Sequence, residues 1–338
     1  MSSHSSSKRA SIKKLAGLSA ASMAGGLPLT SVFADDFPNK PITVVVPFAT
    51  GGFNDRMARA FAPFLQKQLG QPITVLNRGG AGAQLGHTYL LSQPADGYTI
   101  AMSSVNYIAT NIGLTNAPST LEDFEVLNLP SNDYTLLATA SGSKWKSAGE
   151  LLDALKKDVK SVSFGVQPGS ADLMNLTLML QNSGIDAKDV RIVTFTGGGP
   201  TRNATIGGTV DAGLVGAEGW VALKPKIRSL LVFSEDKVEN FTDVPTILDL
   251  SKERKVPSDW VPGSQRGWVV PTALRSAFPA RRARLIEALK KAGEDPEWVK
   301  LADAQEFPNP WYGPEKSQAL YLAGSRMLNK HMALLKKG

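Results

Sequence analysis

Short apolar runs rich in β-branched residues recur along residues 38–335. Each is followed by glycine or small polar residues and then by an apolar stripe of helical spacing. Ile42, Val44, Val45 and Val46 make the first run, with the continuous apolar character of a strand covered on both faces. Gly51 and Gly52 come next; lacking a Cβ, they permit a sharp turn or a close approach of the backbone to a ligand. Met57, Phe61 and Leu65 then recur four apart, which gives a helix with a core face. Asn54 or Asp55 is expected to cap that helix and Gly70 to end it. The order repeats. A strand at 72–76 enters a glycine-rich turn, and a strand ending at Met102 leads to Ser103, Ser104 and Asn106. Strand-like pieces fall at 126–129 and 135–139, and a helix at 147–157 buries Leu151, Leu152 and Leu155. A strand at 162–166 runs into Gln167, Gly169, Ser170 and Ala171, and one at 190–195 runs into Thr196 and Gly197. Strands at 212–215 and 228–233 follow, and helices at 280–292, 296–304 and 314–335 close the chain. This alternation predicts an α/β fold. Open α/β sheets bind ligands beyond the carboxyl ends of their strands, which is where these turns fall.

Composition narrows the chemistry. The 338 residues suffice for two domains of ordinary size, and 42% of them are hydrophobic. No run approaches the roughly 18 apolar residues that would span a bilayer. There is no cysteine, which excludes disulfides, thiolate metal sites and cysteine nucleophiles and suits an oxidising compartment. Residues 1–34 have the order of an export leader. Lys8, Arg9, Lys13 and Lys14 precede a mildly apolar stretch, and Val32-Phe33-Ala34 places small residues where a signal peptidase cuts. Lys8-Arg9 resembles a twin-arginine signal with its first arginine replaced, so both general and twin-arginine export stay open. Removing the leader takes away four basic residues and no acidic one. The formal charge then falls from +7 to +3, with 33 basic residues against 30 acidic. No basic helix or aromatic-interleaved patch stands out, so nucleic acid is not an expected partner, while small anions are.

Several blocks carry a resemblance. Pro47, Phe48, Gly51, Gly52 and Asp55 form Pro-Phe-x-x-Gly-Gly-x-x-Asp. Asn77, Arg78, Gly80, Ala81, Gly82 and Gly86 match a second motif, which departs at Ala83 and Gln84. Phe195 to Pro200, then Gly207, Gly208, Val210 and Asp211, match a third, and Asp243-Val244-Pro245-Thr246 a fourth. In this order the blocks resemble the substrate-binding proteins of tripartite tricarboxylate transporters, the Bug-type periplasmic receptors. Gly80, Gly82 and Gly86 also approach a dinucleotide fingerprint, but with one residue too many and on the second strand. The receptor family carries a histidine on the helix after residue 171, and Asp172 to Leu176 contain none.

The resemblance implies a two-domain periplasmic-binding-protein fold of Venus flytrap, type II-like form, with a ligand cleft between its domains. The first domain is expected to comprise 38–135 plus 240–338, and the second 136–239. It also implies a periplasmic receptor, monomeric, that delivers a small carboxylate or dicarboxylate to a membrane permease. Ligand contacts are expected from Phe48, Ala49, Gly51, Gly52, Asp55, Ala81, Gln84, Ser103, Ser104 and Asn106 in the first domain. The second is expected to add Gln167, Gly169, Ser170, Ala171, Thr196, Gly197 and Trp220. Ser103 and Ser104 suit helix caps equally well. Trp220 is either a packed aromatic or, with Phe48, a flat wall for a ring, and on that reading an aromatic carboxylate is expected over a citrate-like acid. Two alternatives stay open: a receptor presenting solute to a sensor protein, and a carboxylate-dependent hydrolase. No cofactor, metal or catalytic group is expected. Beyond the leader only His87 and His331 occur, far apart, and no nucleophile elbow, zinc motif or phosphate loop is present.

Overall fold

The computed structural model describes residues 36–115 and 117–336; the expected leader and its cleavage point lie outside them. The first stretch runs β1 (Ile42–Val46), α1 (Phe53–Leu69), β2 (Ile73–Asn77), α2 (Gln84–Ser92), β3 (Thr99–Ser104), α3 (Asn106–Thr115) and β4 (Phe124–Asn132). The middle runs β5 (Thr135–Ala140), α4 (Ala148–Lys157), β6 (Ser163–Val166), α5 (Ala171–Asn182), β7 (Arg191–Thr194) and α6 (Gly198–Ile206). It continues with β8 (Ala212–Gly216), β9 (Ile227–Val232) and α7 (Ile247–Arg254). The chain then returns through β10 (Gln265–Pro271) to α8 (Ala273–Ala277), α9 (Pro279–Gly293), α10 (Pro296–Ala304) and α11 (Gly313–Lys336).

Among the described residues these strands make two five-stranded sheets, ordered β2-β1-β3-β10-β4 and β7-β6-β8-β5-β9. The orders are equivalent. In each sheet three parallel strands are followed by an antiparallel strand that arrives from the other sheet. β10 closes the first sheet against β3 and β4, and β5 closes the second against β8 and β9. The two crossing segments lie side by side. The Asp133 amide donates to Ser264 O at 3.0 Å, and a Cβ on Gly263 would meet the backbone of Asp133 to Thr135.

Met57, Phe61 and Leu65 bury the core face of α1 with Trp268 and Trp298, as the spacing predicts. A second core fills the lobe built on the second sheet. It includes Ile247 and Leu250 of α7, so the boundary expected at residue 239 falls too early. A third core joins the lobes. Ala171, Met174 and Leu178 of α5 pack with Tyr321, Leu328 and Met332 of α11 and with residues under the first sheet. The apolar periodicity does not mark β10 as a strand; Gly267 interrupts its apolar run where a side chain would strike Asn128 O. β7 is an exposed strand at the edge of the second sheet.

Candidate ligand-binding site

The loop after β1 is a braced turn. Gly51 sits at φ +81°, a left-handed conformation that suits glycine, and its amide donates to Asp55 Oδ2 at 2.8 Å. Asp55 Oδ1 accepts from Arg59 Nε and from Asn77 Nδ2, each at 2.9 Å, and Asn77 Nδ2 also reaches Phe48 O at 3.1 Å. Burial pushes the Asp55 pKa up, but donors from Gly51, Asn77 and Arg59 outweigh it and hold the carboxyl below its ordinary value. Asp55 is therefore the turn's brace. It does not cap α1, and neither does Asn54, which is buried and donates to Ser104 Oγ at 3.0 Å. The N-cap is Gly52, with no side-chain bond, so the first-turn amides of α1 stay open. Ala49, Gly51 and Gly52 are exposed there, while Phe48 turns its ring edge-on to Tyr107, with centroids 5.4 Å apart.

Ser103 and Ser104 are strand residues, not caps. Ser103 Oγ lies 2.8 Å from His87 Nε2, and His87 Nδ1 lies 3.4 Å from Asn111 Nδ2. A hydrolase would need this serine exposed and Nε2 free of its proton. Instead Ser103 is wholly buried, so its hydroxyl is closed to a substrate. Burial pushes His87 down to about 3, so the ring is neutral and holds the strand end in place. Asn106 Oδ1 accepts the Gln265 amide at 2.7 Å, tying the second crossing to α3. Asn54 Oδ1 and Asn106 Nδ2 are buried without partners among the described residues. Ala81 is exposed at φ +47°, and Gln84 opens α2 beside Ala83 at φ +73°. Gly86 lets α2 press on Pro47.

The expected second-lobe contacts divide. Ser170 Oγ caps its own helix, accepting from Leu173 N at 3.1 Å and donating to Gln167 O at 2.8 Å. Ala171 is buried in the joint core, and a Cβ on Gly169 would lie 3.5 Å from Thr110 of α3. Asp172, wholly buried in the first turn of α5, accepts from Thr135 Oγ1 at 2.7 Å; burial pushes it up to about 7. A self-capped helix with an acid in its first turn is a joint between lobes, and a poor seat for an anion. The turn before α6 is different. Thr196 is exposed, and Gly197, at φ +153°, is an N-cap without a side-chain bond. Trp220 corrects the expectation of a wall: it is wholly buried among Leu136, Val215, Ala217 and Phe241.

The seam also holds charges that the motifs did not single out. Arg266 of β10 lies 4.4 Å over the Phe53 ring and donates from Nη1 to Ser131 Oγ at 2.8 Å and to Glu218 Oε2 at 3.0 Å. Asp133 Oδ2 stands 3.7 Å from the same nitrogen. Burial, then repulsion from Asp133, pushes Glu218 up to about 8. These groups tie the strand end of one lobe to the turn after β8 in the other. Arg202 on α6 and Arg56 in the first turn of α1 share their field. No local pattern marks any of them, because each acquires its neighbours only when the two sheets meet. Two hollows, of about 270 Å³ beside Trp268 and about 880 Å³ along α5, lie elsewhere, and neither is lined by the glycine turns.

Residues 57–337 match the sequence model of the tripartite tricarboxylate transporter family receptor. Protein BugT of Bordetella pertussis is 33% identical over 238 residues, which cover 68% of this chain and 71% of that protein. A TctC solute binding protein from Polaromonas superposes with a TM-score of 0.68 at 25% identity, covering 89% of this chain and all (100%) of that one. MatC from Rhodopseudomonas palustris, solved with bound malate, gives a TM-score of 0.71 at 22% identity over 88% of this chain and 100% of its own.

Proposed function

The chain belongs to the tripartite tricarboxylate transporter receptor family, solute-binding receptors and not enzymes, and from that premise we propose that it captures a small carboxylate in the seam between its lobes. The observation that carries this reading is the open first turn of α1. Its N-cap is a glycine, its nearby acid is spent bracing the turn, and its amides and dipole suit a carboxylate. The unpartnered buried atoms of Asn54 and Asn106 offer further polar contacts. MatC, which shares the fold, holds malate. Trp220 presents no face, so the reading favours an aliphatic acid over the aromatic one. In this proposal residues 1–34 direct export and are removed near Ala34. The monomeric receptor then passes its ligand to a membrane permease of the tripartite tricarboxylate type.

A thermal-shift screen over aliphatic and aromatic carboxylates tests the capture, because a ligand that binds only the folded state raises Tm by mass action. An aliphatic acid is expected to give the largest rise, and no rise with any carboxylate defeats the reading. Uptake of the radiolabelled acid in cells lacking this protein tests delivery. Unchanged uptake points instead to presentation to a sensor.

A further inference from the structure

We propose that Arg202 pairs with the second carboxylate of the ligand, so that this receptor selects dianions over monoanions of the same chain length. The inference rests on the proposed capture of a carboxylate at α1 and assigns the opposite end of that ligand.

Arg202 stands apart from the other seam cations. Arg266 is paired with Glu218 and Ser131, whereas Arg202 has no hydrogen bond or ion pair with any described residue. Its guanidinium is half-buried, with its carbon 6.0 Å from the Trp220 ring centroid. Two glycines shape the recess around it. A Cβ on Gly198 would lie 3.0 Å from Nη1, and one on Gly219 would collide with the same nitrogen. The Trp220 indole below it is wholly buried, and its Nε1 has no partner. A half-buried guanidinium that no carboxylate of the described chain pairs calls for an anionic acceptor from outside it.

The charges around the recess favour an anion there. Arg56, Arg266, Asp133 and Asp172 all act on Arg202. None of the nearby acids forms an ion pair with Arg202: Asp133 Oδ1 accepts the Tyr134 and Glu218 amides and its Oδ2 stands 3.7 Å from Arg266, Glu218 takes Arg266 and Ser131, and Asp172 Oδ1 takes Thr135. A guanidinium matches a carboxylate with two parallel N–H donors, so the planar fork of Arg202 gives orientation as well as charge. Arg56 lies one turn into α1, its amide on Gly52 O, so Arg202 feels the turn that would hold the first carboxylate. A diacid would engage one carboxylate at each lobe.

The test is calorimetric titration of wild type, Arg202→Gln and Arg202→Lys with matched acids: succinate against butyrate, and adipate against hexanoate. Wild type is expected to prefer at least one diacid, and Arg202→Gln to weaken that diacid on the order of 30-fold or more while leaving the monoacid unchanged. Arg202→Lys should restore part of the preference, and the affinity of wild type should fall more steeply with salt than that of Arg202→Gln. Equal weakening of diacid and monoacid, or no weakening, overturns the assignment while leaving carboxylate capture standing. Binding of no acid by wild type removes both. A Tm for each variant near that of wild type shows that the fold is intact.

Discussion

The first turns of α1 and α5 stand at equivalent places, each after the central parallel strand of a sheet of the same order, yet they are built for different work. At α1 the N-cap is a bare glycine, and the acid of the turn, Asp55, reaches backward to bind Gly51, leaving the helix amides open. At α5 the N-cap is Ser170, which satisfies its own helix, and Asp172 points to Thr135 inside the joint. Strand, glycine turn and helix are therefore insufficient to define an anion seat. What decides is whether a side chain already occupies the amides and where the acid of the turn is spent. In the second lobe the open position passes to α6, whose N-cap Gly197 makes no side-chain bond and whose helix carries Arg202.

This contrast can be broken first at Gly52. Its φ of −68° admits a side chain, but a Cβ would lie 3.3 Å from Ala49 O and a branched one would crowd the open amides. Gly52→Val is expected to abolish carboxylate binding in a calorimetric titration while the circular dichroism spectrum stays that of wild type. Undiminished affinity would remove α1 from the site.

The two acids give the next test, because their shifts run in opposite directions. Asp55 is held below its ordinary value, so its stabilising contribution is present above the unfolded pKa and is lost as pH falls through the lower folded value. Asp172 is raised to about 7, so its contribution is full below the unfolded value near 3.8 and is lost as pH rises through about 7. In urea denaturation, Asp55→Asn should cost about 1–3 kcal/mol at pH 7 and lessen the loss of stability in acid. Asp172→Asn should flatten the decline between about pH 4 and pH 8. Profiles that moved in the same direction for both variants would mean that the two turns are alike after all.

The smallest expected effect sharpens the contrast from the other side. Ser170→Ala should cost about 1 kcal/mol through loss of a cap. Carboxylate affinity should be unchanged, since the hydroxyl serves its own helix. A matching loss of affinity would return the α5 turn to the site.

Much of this was legible along the chain. The apolar runs 42–46 and 162–166, the glycines after them and the Met57, Phe61, Leu65 stripe report local geometry, and local geometry depends on residues a few positions apart. The order of the motifs carried the family, and with it the two-lobed architecture. Tertiary structure alone decided the rest. Gln265 meets Asn106 across 159 positions, Arg266 meets Ser131 across 135, and Asp172 meets Thr135 across 37. Trp220 is core because Leu136 and Phe241 close over it. Asp55 is a brace because Asn77 arrives from the next strand. Hydrogen-bond partners and desolvation belong to assembled surfaces, so which arginine is paired and which has no ion pair was settled only when the two sheets came together.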